Sequence, residues 1–526
     1  MQHADRSTLL GTMNMRRLVP KVSVPIMISM IVQALYNVVD SMYVAKYDPS
    51  GLTAVSLAAP FQMLMIALST GMGTGINSLI SRRLGEQRTK DARRASWNGL
   101  LIECVGSFLF ILVGLFLAGP IMRLVAGESL KNRDAIVQMG TQYLSIVTMW
   151  STGLFVAIFF ERLLQSTGNT IASMVTQLCG ALTNIILDPI LIFGWLGLQP
   201  MGVSGAAVAT VIGQWVSATV GFVLNQIKNE ELKLNPKDFM ISRRDLRDII
   251  AVGLPSTIMA SIGSVMNVGM NAILQGFPES NAGLNVLAVY FKLQSLIFMP
   301  VFGLANGIIA IIGYNYGARI KARIYQCIRV ALVWAGTIML VGTLVFMIFP
   351  SQLMSIFQSE SAQVTETEQA VSGETASSDE SVSAETAALP ADIAVPSETA
   401  AAPLTETADP EEAKQKAQEE QALVSEQMSL IGVVAMRIIC INFIFAAVGI
   451  ILSTVFQAIG KGTYSMILSI CRQLVILLPV AWLLSAITHN VYVVWWCFPI
   501  SEIVSLFICL YMFRKCSREM LAPLPD

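Results

Sequence analysis

Long apolar blocks separated by short polar stretches run through nearly the whole chain. Each block holds about 20 or more mostly apolar residues, and a helix of that length crosses a hydrocarbon core of about 30 Å. Because no water is present there to bond free backbone groups, each block is expected to be an α-helix. The pattern predicts twelve spans, at residues 20–45, 53–81, 95–118, 136–160, 170–194, 203–226, 248–275, 284–315, 324–348, 429–456, 463–487 and 491–513.

Composition indicates the same class and excludes a soluble fold. The 526 residues are 54% hydrophobic and only 13% charged, with a mean hydropathy of +0.63. We therefore predict an all-α polytopic membrane protein. Residues 1–19 are polar and basic and lack a small-residue cleavage site, so they are interpreted as a cytoplasmic N-terminus rather than a signal peptide.

The eight cysteines are scattered without the spacing of metal ligands, and both histidines lie outside the predicted spans. The cysteines are interpreted as small core residues. We therefore expect no cofactor and no histidine-based metal site.

Basic residues are concentrated in alternate polar stretches. One set, which includes both termini and Arg162 after the fourth span, holds 24 Lys and Arg, and the opposite short loops hold 4. Loops rich in Lys and Arg are typically cytoplasmic. Both termini are therefore predicted to be cytoplasmic, with residues 229–247 as a cytoplasmic linker and 514–526 as the cytoplasmic C-terminus. The membrane topology accounts for the Lys and Arg in these loops, so no nucleic-acid partner is expected.

Residues 359–427 differ from the rest of the chain. They contain 16 Asp and Glu against 2 Lys, a net charge of −14. Such a segment cannot bury enough apolar surface to offset its conformational entropy. We expect a disordered, extracytoplasmic insertion between the ninth and tenth spans. It is interpreted either as a solvated insertion without a role in the activity or as a tether or brush that attracts cations.

The two halves of the chain repeat one another. Residues 51–87 align with residues 283–319 at an offset of 232. Each half has six spans, an even number, so both have the same orientation and should be related by a pseudo-two-fold axis along the membrane normal. Parallel repeats of this kind place the functional path between the halves. The predicted N-lobe covers residues 20–228, and the predicted C-lobe covers residues 248–513. The aligned glycines are Gly71, Gly75 and Gly85 with Gly303, Gly307 and Gly317.

The first span carries polar residues on one face. Gln33, Asn37 and Asp40 follow the spacing i, i+4 and i+7, which places them on one side of a helix. A carboxylate at the centre of a bilayer costs about 2.5–3.5 kcal/mol. This face is therefore expected to line a cavity or a helix interface. The alternative is that Asp40 only makes a hydrogen bond in helix packing.

Several motifs together resemble the multidrug and toxic compound extrusion (MATE) transporters. They are GLTAVSLAAPFQ and SLISRRLGEQRTKDARRA around the second span, MPVFGLANGIIAIIGYNYGA in the eighth and FQAIGKG after the tenth. The resemblance covers nearly the whole chain apart from residues 359–427. Asp40, Asn184 and Asp188 look like the DinF-type branch, and IIGYNYGA looks like the MepA-type exporters. The resemblance implies a V-shaped pair of six-helix lobes and cation-coupled antiport of organic cations.

One feature departs from the NorM-type branch, which carries acids in the seventh and tenth spans. Here the matching face of the seventh span has Asn267, Asn271 and Gln275, and the tenth span has no acid. Ion coupling is therefore expected in the N-lobe.

The expected ion-coupling residues are Asp40, Asp188, Asn184 and Asn37. Asn184 and Asp188 share a helix face at i, i+4, so two carboxyls and two amides converge if the first and fifth spans face each other. Burial and mutual repulsion then favour a proton on one carboxyl, and the oxygens of Asp40, Asn184 and Asp188 also suit Na⁺. An ion and a cationic substrate that compete for this site would have coupled fluxes. The alternative for Asp188 is that it caps or kinks the helix before Pro189.

Further residues are assigned to the walls and joints of the same path. Pro25 and Pro255, which align in the repeat, are interpreted as hinges, and Gly71, Gly73 and Gly75 as sites of close helix packing. The predicted substrate-cavity residues are Gln33, Tyr36, Gln62, Asn267, Asn271 and Lys292.

Other charges in the spans are expected to be structural. Arg472 and Glu502 are predicted to form an ion pair, with Lys292 as an alternative partner for Glu502, because unpaired charges in a membrane are costly. Glu103 and Arg437 lie nearer the ends of their spans and are expected to reach the membrane interface.

The sequence is compatible with three functions. The first is a monomeric, multi-pass exporter in the cell membrane that exchanges small organic cations for H⁺ or Na⁺. The second is a lipid-linked oligosaccharide flippase of the same superfamily, which commonly has more spans and a cationic cavity. The third is a membrane enzyme. The sequence shows no P-loop, no His/Asp metal set and no Ser/His/Asp arrangement near a predicted membrane surface, so no enzymatic activity is expected.

Overall fold

Nearly all of the described chain folds into helices that match the apolar blocks. The computed structural model describes residues 8–127, 132–355 and 410–525, and this part contains no strand. Ten helices are long and apolar enough to cross a membrane, and two bent helix pairs bring the spans to twelve when each pair counts as one. The predicted all-α architecture with twelve spans is confirmed.

Most spans are longer than the apolar blocks because polar residues extend them at their ends. For example, Ser242 Oγ accepts a hydrogen bond from the backbone N–H of Asp245 over 3.3 Å, so the seventh span begins at Arg243 instead of residue 248. Spans 1–6 are Met15–Tyr47, Pro49–Gly85, Thr89–Leu112 continued by Val113–Leu117 and Ala118–Val125, the pair Arg133–Met149 and Thr152–Ser166, Thr170–Ile192, and Val203–Lys228. Spans 7–12 are Arg243–Leu274, Ser280–Gly317, Lys321–Ile348, the pair Pro410–Ile439 and Asn442–Ala458, Gly462–Ile470 continued by Cys471–Leu477 and Leu478–Thr488, and Val491–Val494 with Cys497–Cys516.

The fourth span of each half is bent at a matching place. Span 4 bends by 46° and span 10 by 48°. A bend frees backbone carbonyls, which must find other donors inside a membrane. At the break in span 10, Thr343 Oγ1 from span 9 donates to the carbonyl oxygen of Cys440 over 3.1 Å. At the break in span 4 the bond runs the other way: Ser151 Oγ donates to the carbonyl oxygen of Ser107 in span 3 over 3.4 Å and so connects the bend to the neighbouring span.

Span 2 of the N-lobe crosses span 7 of the C-lobe at two glycines. A Cβ atom on Gly71 would lie 2.2 Å from Thr257 Oγ1, and one on Gly75 would lie 2.3 Å from the carbonyl oxygen of Ile249. Only glycine allows the backbones to approach so closely. The prediction that Gly71 and Gly75 serve close helix packing is therefore correct.

The equivalent crossing joins span 8 of the C-lobe to span 1 of the N-lobe. A Cβ atom on Gly303 would lie 2.7 Å from Met27 Cα, and one on Gly307 would lie 2.4 Å from Ser23 Oγ. The repeated glycines therefore build two similar crossings that join the lobes.

The ends of spans 2 and 8 contact each other reciprocally. A Cβ on Gly85 would lie 1.9 Å from the carbonyl oxygen of Tyr314, and one on Gly317 would lie 2.1 Å from that of Arg82. Both glycines and both carbonyls match at the offset of 232. These contacts lie on the side where the spans end in the Lys- and Arg-rich stretches, which we call the basic side.

The prediction of a disordered segment over 359–427 is wrong at its C-terminal end. Helix Pro410–Ile439 begins inside that segment and continues into span 10. The residues EEAKQKAQEEQA that follow Pro410 are strong helix formers, so a composition too polar for a core still favours a helix. Residues 359–409 lie outside the described residues.

Candidate functional site

The structure brings Asp40 of span 1 next to Asp188 of span 5. Their carboxyl groups are within hydrogen-bonding range of each other. Asp188 is 0% exposed, and Asp40 is half-buried. Asp40 Oδ1 and Asp188 Oδ2 are buried and receive no N–H or O–H bond from the described residues. The N-lobe therefore holds two adjacent carboxyls with incompletely satisfied oxygens.

Spans 5 and 6 hold Asp188 in place through Asn184. Asn184 Nδ2 donates to Asp188 Oδ1 over 3.2 Å and reaches Thr210 Oγ1 of span 6 at 3.4 Å. The Asn184 side chain is 3% exposed. The amide oxygen of Asn184 is also buried and receives no hydrogen bond among the described residues.

Two tyrosines complete the surroundings of the carboxyl pair. Tyr36 of span 1 and Tyr143 of span 4 are both close enough to Asp40 and Asp188 to interact with them electrostatically. Tyr143 OH donates to Gln62 Oε1 of span 2 over 3.2 Å. The predicted cavity residues Tyr36 and Gln62 therefore belong to the surroundings of this pair.

Gln33 joins span 1 to span 5 nearer the basic side. Gln177 Nε2 donates to Gln33 Oε1 over 3.4 Å. Asn37 was expected to contribute an amide to the same face, and its side chain lies outside the described residues.

The predicted C-lobe residues lie on spans 7 and 8. Asn267 and Asn271 are half-buried, and Lys292 is exposed. Asn267 and Asn271 follow Thr257, at the span 7 crossing, by 10 and 14 residues, and Lys292 precedes Gly303, at the span 8 crossing, by 11 residues. Each therefore lies about 15–20 Å from its crossing along the helix. The hinge residues Pro25 and Pro255 lie within continuous helices, and their role stays a prediction.

The C-lobe ion pair is confirmed. Arg472 Nη1 lies 3.3 Å from Glu502 Oε1, and Ser501 Oγ donates to the carbonyl oxygen of Arg472 over 2.6 Å. Gly449 of span 10 faces both charged groups. The sequence allowed either Arg472 or Lys292 as the partner of Glu502, and the structure pairs Glu502 with Arg472.

A second buried group of charges in the N-lobe was not predicted. Glu103 is 0% exposed and accepts a hydrogen bond from Ser69 Oγ over 2.9 Å, so the expectation that it reaches the membrane interface is wrong. It lies 14 residues into span 3, about 21 Å from the start of that helix. Arg437, by contrast, is exposed.

Arg162 belongs to the same group and does not lie in a loop. It is 5% exposed inside helix Thr152–Ser166, and its Nη1 donates to Gln165 Oε1 over 2.9 Å. Gly73 faces its side chain, where a Cβ would lie 2.8 Å from Arg162 Cγ, so Gly73 accommodates Arg162 rather than a helix backbone. The residues FFERLL around Glu161 could have signalled charges inside the membrane, because large apolar residues flank them on both sides.

Comparison with known proteins assigns these features to a family. The family model described as MatE matches residues 25–190 and 255–372, which is more than half of the chain. The chain belongs to the MatE family. The matched ranges contain the four glycines of the crossings, Gly71, Gly75, Gly303 and Gly307, and the carboxyl pair. The resemblance seen in the sequence is therefore confirmed.

Curated relatives cover most of this MatE chain. The probable multidrug resistance protein NorM of Thermotoga maritima is 25% identical over 65% of the chain and 72% of the relative. The multidrug export protein MepA of Staphylococcus saprophyticus is 28% identical over 65% of the chain and 73% of the relative.

Solved structures show the same fold over the whole length. A crystal structure of a MATE protein in complex with MaL6 has a TM-score of 0.80 and 22% sequence identity, and covers 98% of this chain and 99% of the other. The two-lobe arrangement of the MatE chain is therefore that of known MATE structures.

Proposed function

We propose that this MatE chain is a secondary active multidrug exporter that exchanges cationic amphipathic compounds for H⁺ or Na⁺ by alternating access. The observation that carries the proposal is the contact between Asp40 and Asp188 in the N-lobe. Relatives named as multidrug resistance and multidrug export proteins support the substrate class.

The carboxyl pair has the chemistry that exchange needs. Two bare carboxylates in contact repel each other, so the pair is stable when a proton or a cation lies between them. Asn184 and Thr210 add oxygens beside Asp188 that suit Na⁺. Release of the ion leaves negative charge that attracts a cationic compound, and the two ligands exclude each other. A membrane potential adds about 2.3 kcal/mol per charge per 100 mV.

The described conformation suits release to the outside. The lobes contact each other through Gly71, Gly75, Gly303 and Gly307, all in the span halves nearest the basic side. Asp40 lies 13 residues beyond Met27, about 20 Å from that crossing along span 1. With the basic side in the cytoplasm, as the loop charges predict, the crossings separate the carboxyl pair from the cytoplasm, and the path opens outward.

The cavity is formed by both lobes in this proposal. Gln33, Tyr36 and Gln62 supply the N-lobe wall, and residues of spans 7 and 8 supply the other. The transporter acts as a monomer in the cell membrane, with Pro25 and Pro255 as hinges and both termini in the cytoplasm. The C-lobe residues assigned to the wall are Asn267, Asn271 and Lys292.

Dye efflux from proteoliposomes tests the proposal. Purified protein should export a cationic dye only when a proton or Na⁺ gradient is imposed, and Asp40→Asn should reduce this efflux about tenfold or more. Asp134→Asn, an exposed acid in the same lobe, is the matched control and should transport normally. Wild-type transport by Asp40→Asn would remove Asp40 from the mechanism.

The same vesicles separate the alternatives. Replacing Na⁺ by choline at fixed pH stops efflux if Na⁺ is the coupling ion and leaves it unchanged if H⁺ is. A flippase or a membrane enzyme would show no gradient-dependent dye movement.

A further inference from the structure

A buried acid of the C-lobe is held by two arginines of the N-lobe on the basic side. Asp245, in the first turn of span 7, is 0% exposed. Its Oδ2 lies 2.8 Å from Arg94 Nε of span 3, and its Oδ1 lies 3.7 Å from Arg83 Nη2 of span 2. Asp91 lies 3.4 Å from Arg94 and so helps to orient the guanidinium.

The linker that leads to Asp245 is fixed to the N-lobe. Asn98 Nδ2 donates to the carbonyl oxygen of Met240 over 2.9 Å, and Asn98 Oδ1 accepts from the backbone N–H of Ser242 over 2.9 Å. Trp97 Nε1 donates to the carbonyl oxygen of Asn235 over 2.9 Å. Span 7 therefore begins on the surface of span 3, although the rest of the span belongs to the C-lobe.

The opposite lobe holds the start of span 1 in a similar way. Arg323 Nη2 donates to the carbonyl oxygens of Leu10 and Met13 over 3.0 and 2.8 Å, and Asn315 Nδ2 donates to that of Leu10 over 3.0 Å. Asn315 occupies the repeat position of Arg83 at the offset of 232. Each lobe therefore holds the start of the first span of the other lobe at the basic side.

The two anchors differ in their chemistry. At the span 1 anchor the acceptors are backbone carbonyls of Leu10 and Met13. At the span 7 anchor the contact made by span 7 itself depends on the Asp245 carboxylate, and its Oδ1 makes no hydrogen bond to the described residues. Separation of the lobes on this side would strip a buried charge of its partners, and such a step is strongly unfavourable.

We propose that Asp245, with Arg94 and Arg83, forms a latch that holds the lobes together on the basic side and sets the balance between the two access states. Asp245 acts as a positioning residue: it binds neither the ion nor the substrate, and it determines how readily the crossings at Gly71 and Gly75 separate. The inference rests on the proposed alternating-access function, in which those crossings must open in each cycle.

Distance measurements between the lobes test the latch without a transport assay. Spin labels are placed at Lys228→Cys of span 6 and Lys515→Cys of span 12, both exposed on the basic side, with the exposed or half-buried Cys104, Cys179 and Cys471 replaced by serine. Pulsed electron resonance in lipid nanodiscs should give one dominant distance. In Asp245→Asn, a longer distance should gain about tenfold in its population ratio.

Asp248→Asn is the matched control, since Asp248 lies one turn further on the same helix, is partly exposed and approaches Arg83 only to 4.0 Å. It should leave the distance distribution unchanged. Equal behaviour of Asp245→Asn and Asp248→Asn would overturn the latch.

A charge exchange covers the case in which Asp245→Asn does not fold. Arg94→Asp with Asp245→Arg should restore the short distance that Arg94→Asp alone loses, and a failure to restore it in folded protein would also count against the latch. If the distances change as expected but the wild-type protein shows no gradient-driven dye efflux, the proposed function is rejected and the latch is retained.

Discussion

Asn184 Nδ2 donates to Asp188 Oδ1 over 3.2 Å and also reaches Thr210 Oγ1 at 3.4 Å. One amide thus joins spans 5 and 6 and fixes the orientation of the carboxyl that contacts Asp40. The geometry of the proposed ion site therefore includes this amide as well as the two acids.

Removal of the Asn184 amide should impair transport more than removal of the Thr210 hydroxyl. Asn184→Leu leaves Asp188 without its donor, and we expect gradient-driven dye efflux to fall about fivefold or more. Thr210→Val keeps the shape of the side chain and leaves Asn184 as the donor to Asp188. Its fold reduction in efflux should therefore be less than half of that in Asn184→Leu. Vesicle efflux under a fixed gradient measures both. A larger loss in Thr210→Val would contradict the assigned roles.

Alanine at the reciprocal glycines should separate the lobes on the basic side. The Cβ of Gly85→Ala or Gly317→Ala would lie about 2 Å from a backbone carbonyl oxygen, an overlap that no rotamer change relieves, and we expect a loss of at least about 1–3 kcal/mol in stability. The melting temperature of the purified protein measures this effect.

Gly336→Ala is the control for that prediction. Gly336 lies on span 9, and a Cβ there would meet no atom of the described residues within 4 Å. Since alanine favours helices, its melting temperature should be unchanged or higher. An equal loss in all three variants would show that the reciprocal contact has no special role.

The bend in span 10 should depend on the hydroxyl of Thr343. Thr343→Val removes the donor to the Cys440 carbonyl, and the expected cost is about 0.6–1.7 kcal/mol, the range for hydrogen bonds between membrane helices. Thr337→Val on the same helix removes only a local bond to Val333 and should cost less. Thermal unfolding of both variants in detergent tests the difference, and a larger loss in Thr337→Val would contradict it.

Two deletions separate the acidic segment from the helix that follows it. Replacing residues 361–408 by a short Gly/Ser linker should leave dye efflux near normal, because their composition indicates a solvated insertion. A deletion that continues to residue 427 also removes the beginning of helix Pro410–Ile439 and should reduce the amount of folded protein. Membrane yield and efflux measure both outcomes, and a loss of efflux in the shorter deletion would assign the segment a role in transport.

Much of the architecture followed from local patterns. Block length and hydropathy are enough to count membrane helices, and an even number of spans in each half fixes their relative orientation. The cost of a charge in lipid marked Asp40 as a residue that faces protein or a cavity. The same cost applies to Glu103, which lies in the interior and bonds to Ser69.

Other features could not be read from the sequence, because helix periodicity gives the face of a residue and not its partner. Arg162 follows the apolar block like a loop residue, yet the helix around it continues to Ser166. Tyr143 and Thr210 are ordinary polar residues in apolar spans, and only the packing of spans 4 and 6 brings them to the carboxyl pair.

The sequence by itself determined the twelve helices, the repeat and the polar face of the first span, since each depends on composition and spacing along one helix. The tertiary structure decided that Asp188 is the partner of Asp40, that the repeated glycines form the lobe crossings, and that Asp245 binds arginines of the other lobe. These contacts depend on the rotation and approach of helices far apart in the chain, which are set by packing between them.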